Sequence, residues 1–138
     1  MRFFFYGTLI DPDVRRVVLG ELAPAEVERA TLAGWERVPV RNATFPMIRR
    51  LAGARVEGVL VRGLDTEARR RLVTYEDESS YDMLEITVAL ATGRRVGAWV
   101  FAPPPDGTLA PGRGTWRFDD WERRHKRDFL RSIAGLRA

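Results

Sequence analysis

The amino-acid sequence predicts an α+β fold, with a small mixed sheet that is curled or closed like a β-barrel and flanked by two or three helices. Short segments rich in β-branched and aromatic residues recur along the chain, whereas only two or three segments have helical periodicity. No internal repeat and no change of composition divides the 138 residues. The sequence therefore predicts one domain that spans residues 1–138.

The first third of the chain predicts a series of short elements. Residues 2–6 form a short aromatic strand that continues into a Tyr-Gly-Thr-Leu turn. A short helix follows, with Asp11 as its N-cap and Gly20 as its stop signal. Loosely alternating apolar residues over 25–41 predict two further short strands around Gly34.

The middle of the chain combines strands with one helix. Residues 45–48 are predicted to be extended, because proline disfavours helix in the residue before it. Residues 56–61 are typical of a buried strand, in which Gly58 marks a bulge or a close backbone approach. A helix follows that is capped at either Asp65 or Thr66 and runs to about residue 75.

The last third contains the clearest hairpin and a final helix. Residues 82–90 alternate in polarity, and a Thr-Gly turn leads back into a strand over 96–101. Prolines and glycines predict a loop over 102–115, and an amphipathic helix begins at about Asp119. The apolar seam of that helix consists of Phe118, Trp121, His125, Phe129, Ile133 and Leu136.

Composition excludes several classes of function. The chain has no cysteine, which removes disulfides, thiolate metal sites and Cys nucleophiles. With one histidine, a His-based metal centre or a Ser-His-Asp triad has only His125 to build on. The apolar run near the N-terminus is too short for a secretory signal, and no stretch approaches the roughly 18 apolar residues of a membrane span. We therefore expect a cytoplasmic protein without a membrane segment.

The net charge of +4 comes almost wholly from arginine, since Lys126 is the only lysine. Basic runs at residues 69–71 and 123–127 are typical of solvated helix faces. An alternative is a nucleic-acid binder that uses the basic final helix, with an affinity that falls steeply with salt. The aromatic residues of that helix lie on its apolar seam instead of among the arginines, so no nucleic-acid partner is expected.

The turn after the first strand, Tyr6 to Leu9, is one candidate binding element. A glycine at the end of a buried strand lets successive backbone N–H groups point into open space, where they suit a carboxylate or a phosphate. The alternative is that Gly7 and Thr8 simply turn the chain.

Glu76 is the candidate acid/base residue. It falls at the C-terminus of the predicted helix, where the helix dipole disfavours its negative charge. If Tyr75 and Leu72 also shield it from water, its pKa rises and it becomes a better proton acceptor near neutral pH. The alternative is that Glu76, Asp77 and Glu78 form a solvated acidic loop.

The remaining aromatic and histidine candidates have simple alternatives. Tyr81 either donates a phenolic hydrogen bond to a substrate or begins the next strand. His125 lies on the apolar seam between Trp121 and Phe129, which is typical of a core or interface histidine. The four tryptophans are interpreted as packing residues.

Five motifs occur along the chain in a distinctive order. They are a strand followed by Tyr-Gly-Thr at 5–9, an aromatic-Pro-aliphatic segment at 45–48, a Val-x-Gly strand at 56–60, a Tyr-Glu pair within 72–76 with Tyr81 after it, and a Gly-x-Trp-x-Phe-x-x-Trp tail at 114–121 that leads to His125 and Phe129. The ordered set resembles the gamma-glutamylcyclotransferase-like superfamily, and within it the AIG2-like branch of plants and bacteria. Two positions depart from the family pattern: Val73 stands in place of an aspartate and Phe45 in place of a tyrosine.

The resemblance implies cyclisation of a γ-glutamyl compound to 5-oxoproline, with release of an amine or amino acid. The substrate's own α-amine attacks its γ-carbonyl, so the reaction needs no enzyme nucleophile, metal or cofactor. The implied site residues are Glu76 as general acid/base, the backbone of Gly7, Thr8 and Leu9 as the turn that holds the α-carboxylate, and Tyr6 and Tyr81 as pocket lining. The two departures put the substrate identity in question. The alternative is a non-catalytic module that binds a small molecule in the same pocket.

Overall fold

Five strands form a closed barrel in the computed structural model, which describes residues 1–76, 81–104 and 107–134. The strands are β1 (Phe3–Phe5), β2 (Val27–Pro39), β3 (Pro46–Val61), β4 (Asp82–Leu90) and β5 (Arg95–Ala102). Their order around the barrel is β1-β3-β2-β4-β5, and a parallel pairing of β5 with β1 closes it. The predicted α+β fold with a closed, barrel-like sheet is confirmed.

Four α-helices occur within the described residues, against the two or three that the sequence predicts. They are α1 (Pro12–Leu19), α2 (Thr66–Glu76), α3 (Phe118–Arg124) and α4 (Lys126–Ile133). The predicted final helix is divided in two because His125 has non-helical dihedral angles, φ −124° and ψ −20°. Every helix in the described part of the chain is too short or too polar to cross a bilayer.

The strand β1 separates two hydrophobic clusters because alternate side chains of a strand point to opposite faces. Phe4 belongs to a cluster inside the barrel, to which all five strands contribute. Phe3 and Phe5 belong to a second cluster, between the sheet and the helices, together with Leu72 and Trp121. This arrangement fixes the end of β1, and the turn that follows it, between barrel and helices.

The prediction of α1 and its cap is confirmed. The Oδ1 atom of Asp11 accepts hydrogen bonds from the backbone N–H groups of Asp13 at 2.8 Å and Val14 at 3.1 Å. Gly20 follows the helix with φ 85°, a conformation that glycine adopts without a steric penalty. Pairing of β4 with β5 likewise confirms the predicted hairpin.

The sequence-based bounds of the two longest strands are wrong. The two short strands predicted around Gly34 are one strand, β2, whose register shifts between Ala33 and Trp35 at a β-bulge. The segments predicted at 45–48 and 56–61 are parts of a single strand, β3. The residues between them are mostly exposed and lack the alternating pattern, and residues 51–54 have no paired position in β2.

The position of His125 also differs from the prediction. His125 is exposed at the break between α3 and α4, so its prediction as a core histidine is wrong, and the interface alternative stays a prediction. His125 is the non-helical residue between the two helices, whereas Trp121, four residues earlier in α3, stays buried. Leu136, predicted on the same seam, lies outside the described residues. Of the tryptophans, Trp99 is half-buried and the other three are buried, in line with packing roles.

Two basic residues of the runs interpreted as solvated are tied to α1 instead. The Nζ atom of Lys126 lies 2.8 Å from Oδ2 of the fully buried Asp11 and 2.8 Å from Oδ2 of Asp13. The guanidinium of Arg71 donates hydrogen bonds to the carbonyl oxygens of Val18 at 2.8 Å and Leu19 at 3.2 Å. These contacts attach α4 and α2 to opposite ends of α1.

The prediction of a close backbone approach at Gly58 is confirmed. A Cβ atom at this position would lie 2.2 Å from the carbonyl oxygen of Phe5 and 2.9 Å from Cζ of Phe4. We expect Gly58→Ala to lower the free energy of unfolding by about 2 kcal/mol, because the clash is with backbone and a packed ring. Urea unfolding measures this effect.

Gly97→Ala is the matched control, because Gly97 also lies in a strand but has its nearest neighbour 4.0 Å from the added Cβ. Alanine there is expected to leave stability unchanged or to raise it slightly. Equal effects at Gly58 and Gly97 would contradict the close approach.

Candidate active site

A cavity of about 320 Å³ opens at the end of β1, between the barrel and the helices. All six residues that the sequence singled out for the site line it: Tyr6, Gly7, Thr8, Leu9, Glu76 and Tyr81. The turn and the carboxylate are about seventy positions apart in the sequence, and the closed barrel brings them together. Their functional roles stay predictions.

The turn begins where β1 ends and immediately becomes a short 3-10 helix, Thr8–Ile10. The N–H of Ile10 donates to the carbonyl of Gly7 at 3.0 Å, which closes the turn. The N–H groups of Thr8 and Leu9 have no acceptor in the described part of the chain, as expected at a helix start. Gly7 packs tightly on Pro46, whose Cδ atom would be 3.0 Å from an added Cβ. The cavity wall at this turn is therefore formed by backbone atoms.

Two arginines that the sequence analysis did not single out hold the carbonyl oxygens of this turn. Nη1 of Arg37 donates to the carbonyl of Tyr6 at 3.0 Å, and Nη1 of Arg15 donates to the carbonyls of Leu9 at 3.0 Å and Ile10 at 2.6 Å. Because a peptide's C=O and the next N–H point in opposite directions, fixing the Tyr6 carbonyl also fixes the N–H of Gly7. Arg37 directly follows Glu36 in the sequence, so no local signal pointed to this contact.

Tyr6 is buried, and its phenol donates a hydrogen bond of 2.7 Å to the carbonyl of Phe101 in β5. Burial raises the pKa of this phenol well above its usual value of 10. Tyr6 therefore contributes a neutral ring to the cavity wall, while its hydroxyl ties the end of β1 to β5. Tyr81 lines the same cavity and is half-buried just before β4.

Glu76 is the last residue of α2, and its side chain lines the cavity. The residue is half-buried, and burial raises the pKa of its carboxyl to about 8. This environment differs from the solvated acidic loop that was the alternative interpretation. Asp77 and Glu78, the other members of that loop, lie outside the described residues.

Tyr75 connects the two halves of the site, a contact that the sequence analysis missed. Its phenol and the Oγ1 of Thr8 share a hydrogen bond, and its ring packs edge-on against Phe129 with centroids 6.2 Å apart. Thr8 is 7 % exposed, so this hydrogen bond is shielded from water. The residue before the candidate base is thus attached to the candidate anion-binding turn.

We expect the Thr8–Tyr75 hydrogen bond to appear as an energetic coupling. Thr8→Val and Tyr75→Phe should each lower the free energy of unfolding, and the double mutant should lose less than the sum by about 1 kcal/mol. Urea unfolding of the four proteins measures the coupling. Strictly additive losses would mean that the two hydroxyls do not interact.

A family model described as "Gamma-glutamyl cyclotransferase, AIG2-like" matches residues 3–123. The chain belongs to this family. AIG2-like protein A of Arabidopsis thaliana is 26% identical over 135 residues, which cover 94% of this chain and 77% of that protein. AIG2-like protein C of the same plant is 28% identical over 130 residues, which cover 92% of this chain and 72% of that protein.

Solved structures share the fold of this AIG2-like chain. A solution structure of an Arabidopsis thaliana protein superposes with a TM-score of 0.67 at 24% identity, over 96% of this chain and 87% of that one. A solved gamma-glutamyl cyclotransferase superposes with a TM-score of 0.65 at 12% identity, over 98% of this chain and 86% of that one. Identities this low show a common fold.

The two departures from the family pattern lie in different surroundings in this AIG2-like chain. Phe45 lines the cavity next to Pro46, so the missing tyrosine hydroxyl removes a polar group from the wall. Val73 is half-buried on α2 and is not among the residues that line the cavity. Of the two departures, the one at Phe45 therefore changes a residue of the cavity wall.

The rest of the cavity wall is apolar, which sequence reasoning also missed. It includes Leu109 from the loop after β5, and Phe129 and Ile133 from α4. Among the described residues that line the cavity, Glu76 is the one with a charged side chain. No group of three or more potential metal ligands occurs in residues 1–76, 81–104 and 107–134.

Proposed function

We propose that this AIG2-like chain is a γ-glutamyl cyclotransferase. The α-amine of a γ-glutamyl compound attacks its γ-carbonyl carbon, a ring C–N bond forms, and the bond to the departing amine breaks. The products are 5-oxoproline and a free amine or amino acid. The observation that carries the proposal is the position of Glu76 in the same cavity as the turn of Gly7, Thr8 and Leu9.

The proton transfers depend on the raised pKa of Glu76. The α-ammonium of a substrate has a reference pKa of about 8, whereas an ordinary glutamate has one of about 4.3, a mismatch of roughly 5 kcal/mol. With a pKa of about 8, Glu76 is matched to the amine that it must deprotonate. In this proposal Glu76 takes a proton from the α-ammonium and returns it to the departing amine as general acid. It then accepts the second proton that the ring nitrogen must lose and releases that proton to solvent.

The turn has the task of orientation. The N–H groups of Thr8 and Leu9, which have no acceptor among the described residues, suit the α-carboxylate of the glutamyl group. Their peptide planes are held because the carbonyls of Gly7 and Thr8 accept hydrogen bonds from the N–H groups of Ile10 and Asp11. Anchoring this carboxylate folds the glutamyl chain so that its amine approaches its own γ-carbonyl. Holding the two reacting groups together in this way supplies several kcal/mol of the barrier reduction.

The test is direct detection of product. The purified protein is incubated with a panel of γ-glutamyl dipeptides and γ-glutamyl amines, and 5-oxoproline is measured by mass spectrometry. Release of 5-oxoproline from at least one compound, above the rate without enzyme, is the expected result. Saturable binding of these compounds without turnover would favour the alternative, a non-catalytic binding module.

A further inference from the structure

We infer that Arg37 is a positioning residue for recognition of the substrate's α-carboxylate. It holds the peptide between Tyr6 and Gly7 so that the N–H of Gly7 points into the cavity. This N–H then acts as a third donor of the turn, beside those of Thr8 and Leu9. The inference rests on the proposed function and deepens it. The observation behind it is that the guanidinium binds the turn from outside the cavity.

Arg37 lies at the point where the pairing of β1 with β3 stops. The last pair of this ladder is Phe5 with Val59. Beyond it, Nη1 of Arg37 donates hydrogen bonds to the carbonyl oxygens of Tyr6 and Glu57, both at 3.0 Å. The guanidinium therefore ties the end of β1 to β3 where backbone pairing no longer does so.

The guanidinium itself has a fixed position. Arg37 is half-buried, and its Cζ atom lies 5.3 Å from the centre of the Trp116 ring, within the range of a cation–π contact. Trp116 is buried, and its Nε1 donates to the carbonyl of Thr44 at 2.9 Å. A guanidinium held by two carbonyls and a buried ring has little freedom, so it restrains the peptide that it binds.

The direction of the Gly7 N–H follows from the side on which Arg37 lies. In a trans peptide the C=O and the next N–H point in opposite directions. Arg37 lines a separate groove on the outer face of β2 and β3, whereas Gly7 lines the cavity. The Tyr6 carbonyl therefore points towards the groove, and the Gly7 N–H points towards the cavity and has no acceptor among the described residues. Without Arg37 this peptide can rotate, because Gly7 has no Cβ, and a carbonyl oxygen would then face the α-carboxylate.

Arg15 provides a contrast within the same turn. Its Nη1 donates to the carbonyls of Leu9 at 3.0 Å and Ile10 at 2.6 Å. The N–H groups of these two peptides already donate within the turn, to the carbonyls of Gly7 and Thr8. Arg15 therefore supports the turn without directing a free N–H into the cavity, which makes it the matched control.

A matched pair of substrates tests the role of Arg37. The pair is the best compound of the γ-glutamyl panel and its α-carboxamide analogue, which cyclises in the same way to 5-oxoprolinamide. We expect Arg37→Met to lower kcat/KM about 100-fold for the carboxylate compound and about 5-fold for the carboxamide, because hydrogen bonds to charged groups are the stronger ones. Arg15→Met should lower both values by the same factor. Equal losses in Arg37→Met would show a merely structural role and overturn the inference.

A conservative variant covers the case in which Arg37→Met does not fold. Arg37→Lys keeps a cation and a donor but loses the planar group that lies on Trp116. We expect a smaller loss that is again selective for the carboxylate compound, and a loss equal for both compounds would contradict the inference. Circular dichroism and urea unfolding verify that each variant compared is folded.

The amide of Gly7 can also be observed without turnover. Tyr6 is the only tyrosine followed by glycine, so isotope labelling of tyrosine carbonyl carbons and glycine nitrogens isolates one NMR signal, that of Gly7. We expect a γ-glutamyl compound to move this amide proton downfield in the wild type and in Arg15→Met, and not in Arg37→Met. An amide that does not respond in the wild type would overturn the inference even if 5-oxoproline is released. Absence of 5-oxoproline together with the expected response would instead overturn the proposed function and leave the role of Arg37 in binding intact.

Discussion

Glu76→Gln is expected to lower kcat for 5-oxoproline release by about 10³-fold, within the range for removal of a general acid/base. Glutamine keeps the size of the side chain but has no carboxylate to accept the α-ammonium proton. The rate is measured with the best substrate of the γ-glutamyl panel. Circular dichroism and urea unfolding verify that the variant is folded, and a folded variant with full turnover would falsify the role of Glu76.

Glu67→Gln is the matched control for this experiment. Glu67 lies in the first turn of the same helix, but its side chain is 57% exposed and pairs with Arg70 at 3.0 Å. A surface ion pair of this kind contributes little to stability. We expect turnover close to that of the wild type, so that a loss in Glu76→Gln alone assigns the effect to the cavity carboxylate.

The second large effect concerns stability and pH, and it does not require any catalytic activity. The pKa of Glu76 is about 8 in the folded chain and about 4.5 in the unfolded one. The folded state therefore holds this proton more tightly, and its contribution to stability is complete below pH 4.5 and is lost as the pH rises to about 8. Because the residue is half-buried, we expect a loss of about 3 kcal/mol across this window, below the roughly 5 kcal/mol of the full shift.

Glu76→Gln again isolates the effect, since glutamine stays neutral at every pH. The variant should match the wild type in its free energy of unfolding near pH 4.5 and exceed it by about 3 kcal/mol at pH 9. Urea unfolding of both proteins at a series of pH values gives the difference curve. A flat difference between pH 5 and pH 9 would show that the carboxyl is as well hydrated in the folded chain as in the unfolded one.

Local sequence signals predicted most of the elements and the two halves of the site. Asp11 and Gly20 mark the start and the end of α1. Both could be predicted because capping depends on only a few neighbouring residues. The turn after β1 and Glu76 were identified from the ends of their elements, and the family motifs placed them in one site. The sequence does not give the distance in space between the turn and Glu76, which is determined by the closed barrel.

Features that depend on packing between distant segments were not predictable. The Thr8–Tyr75 hydrogen bond joins positions 67 residues apart, and neither hydroxyl carries a local signal for it. β3 was missed as one strand because its middle is exposed and lacks the alternating pattern, with no paired position in β2 at residues 51–54. His125 has helical spacing from its apolar neighbours, but one non-helical residue moves it to the surface.

The barrel is closed by a very short joint. β1 pairs with β5 in parallel at a single position, Phe3 with Trp99. By comparison, β2 and β3 pair at twelve positions. The N–H of Trp99 donates to the carbonyl of Arg2 at the pairing of β1 with β5, and two side-chain hydrogen bonds also join the two segments, from Tyr6 to Phe101 and from Arg2 to Gly97. Local opening of the barrel should therefore begin here, and it would carry the turn of the candidate site away from Glu76. A ligand that contacts both the turn and Glu76 would stabilise the closed barrel and slow amide hydrogen exchange in β1.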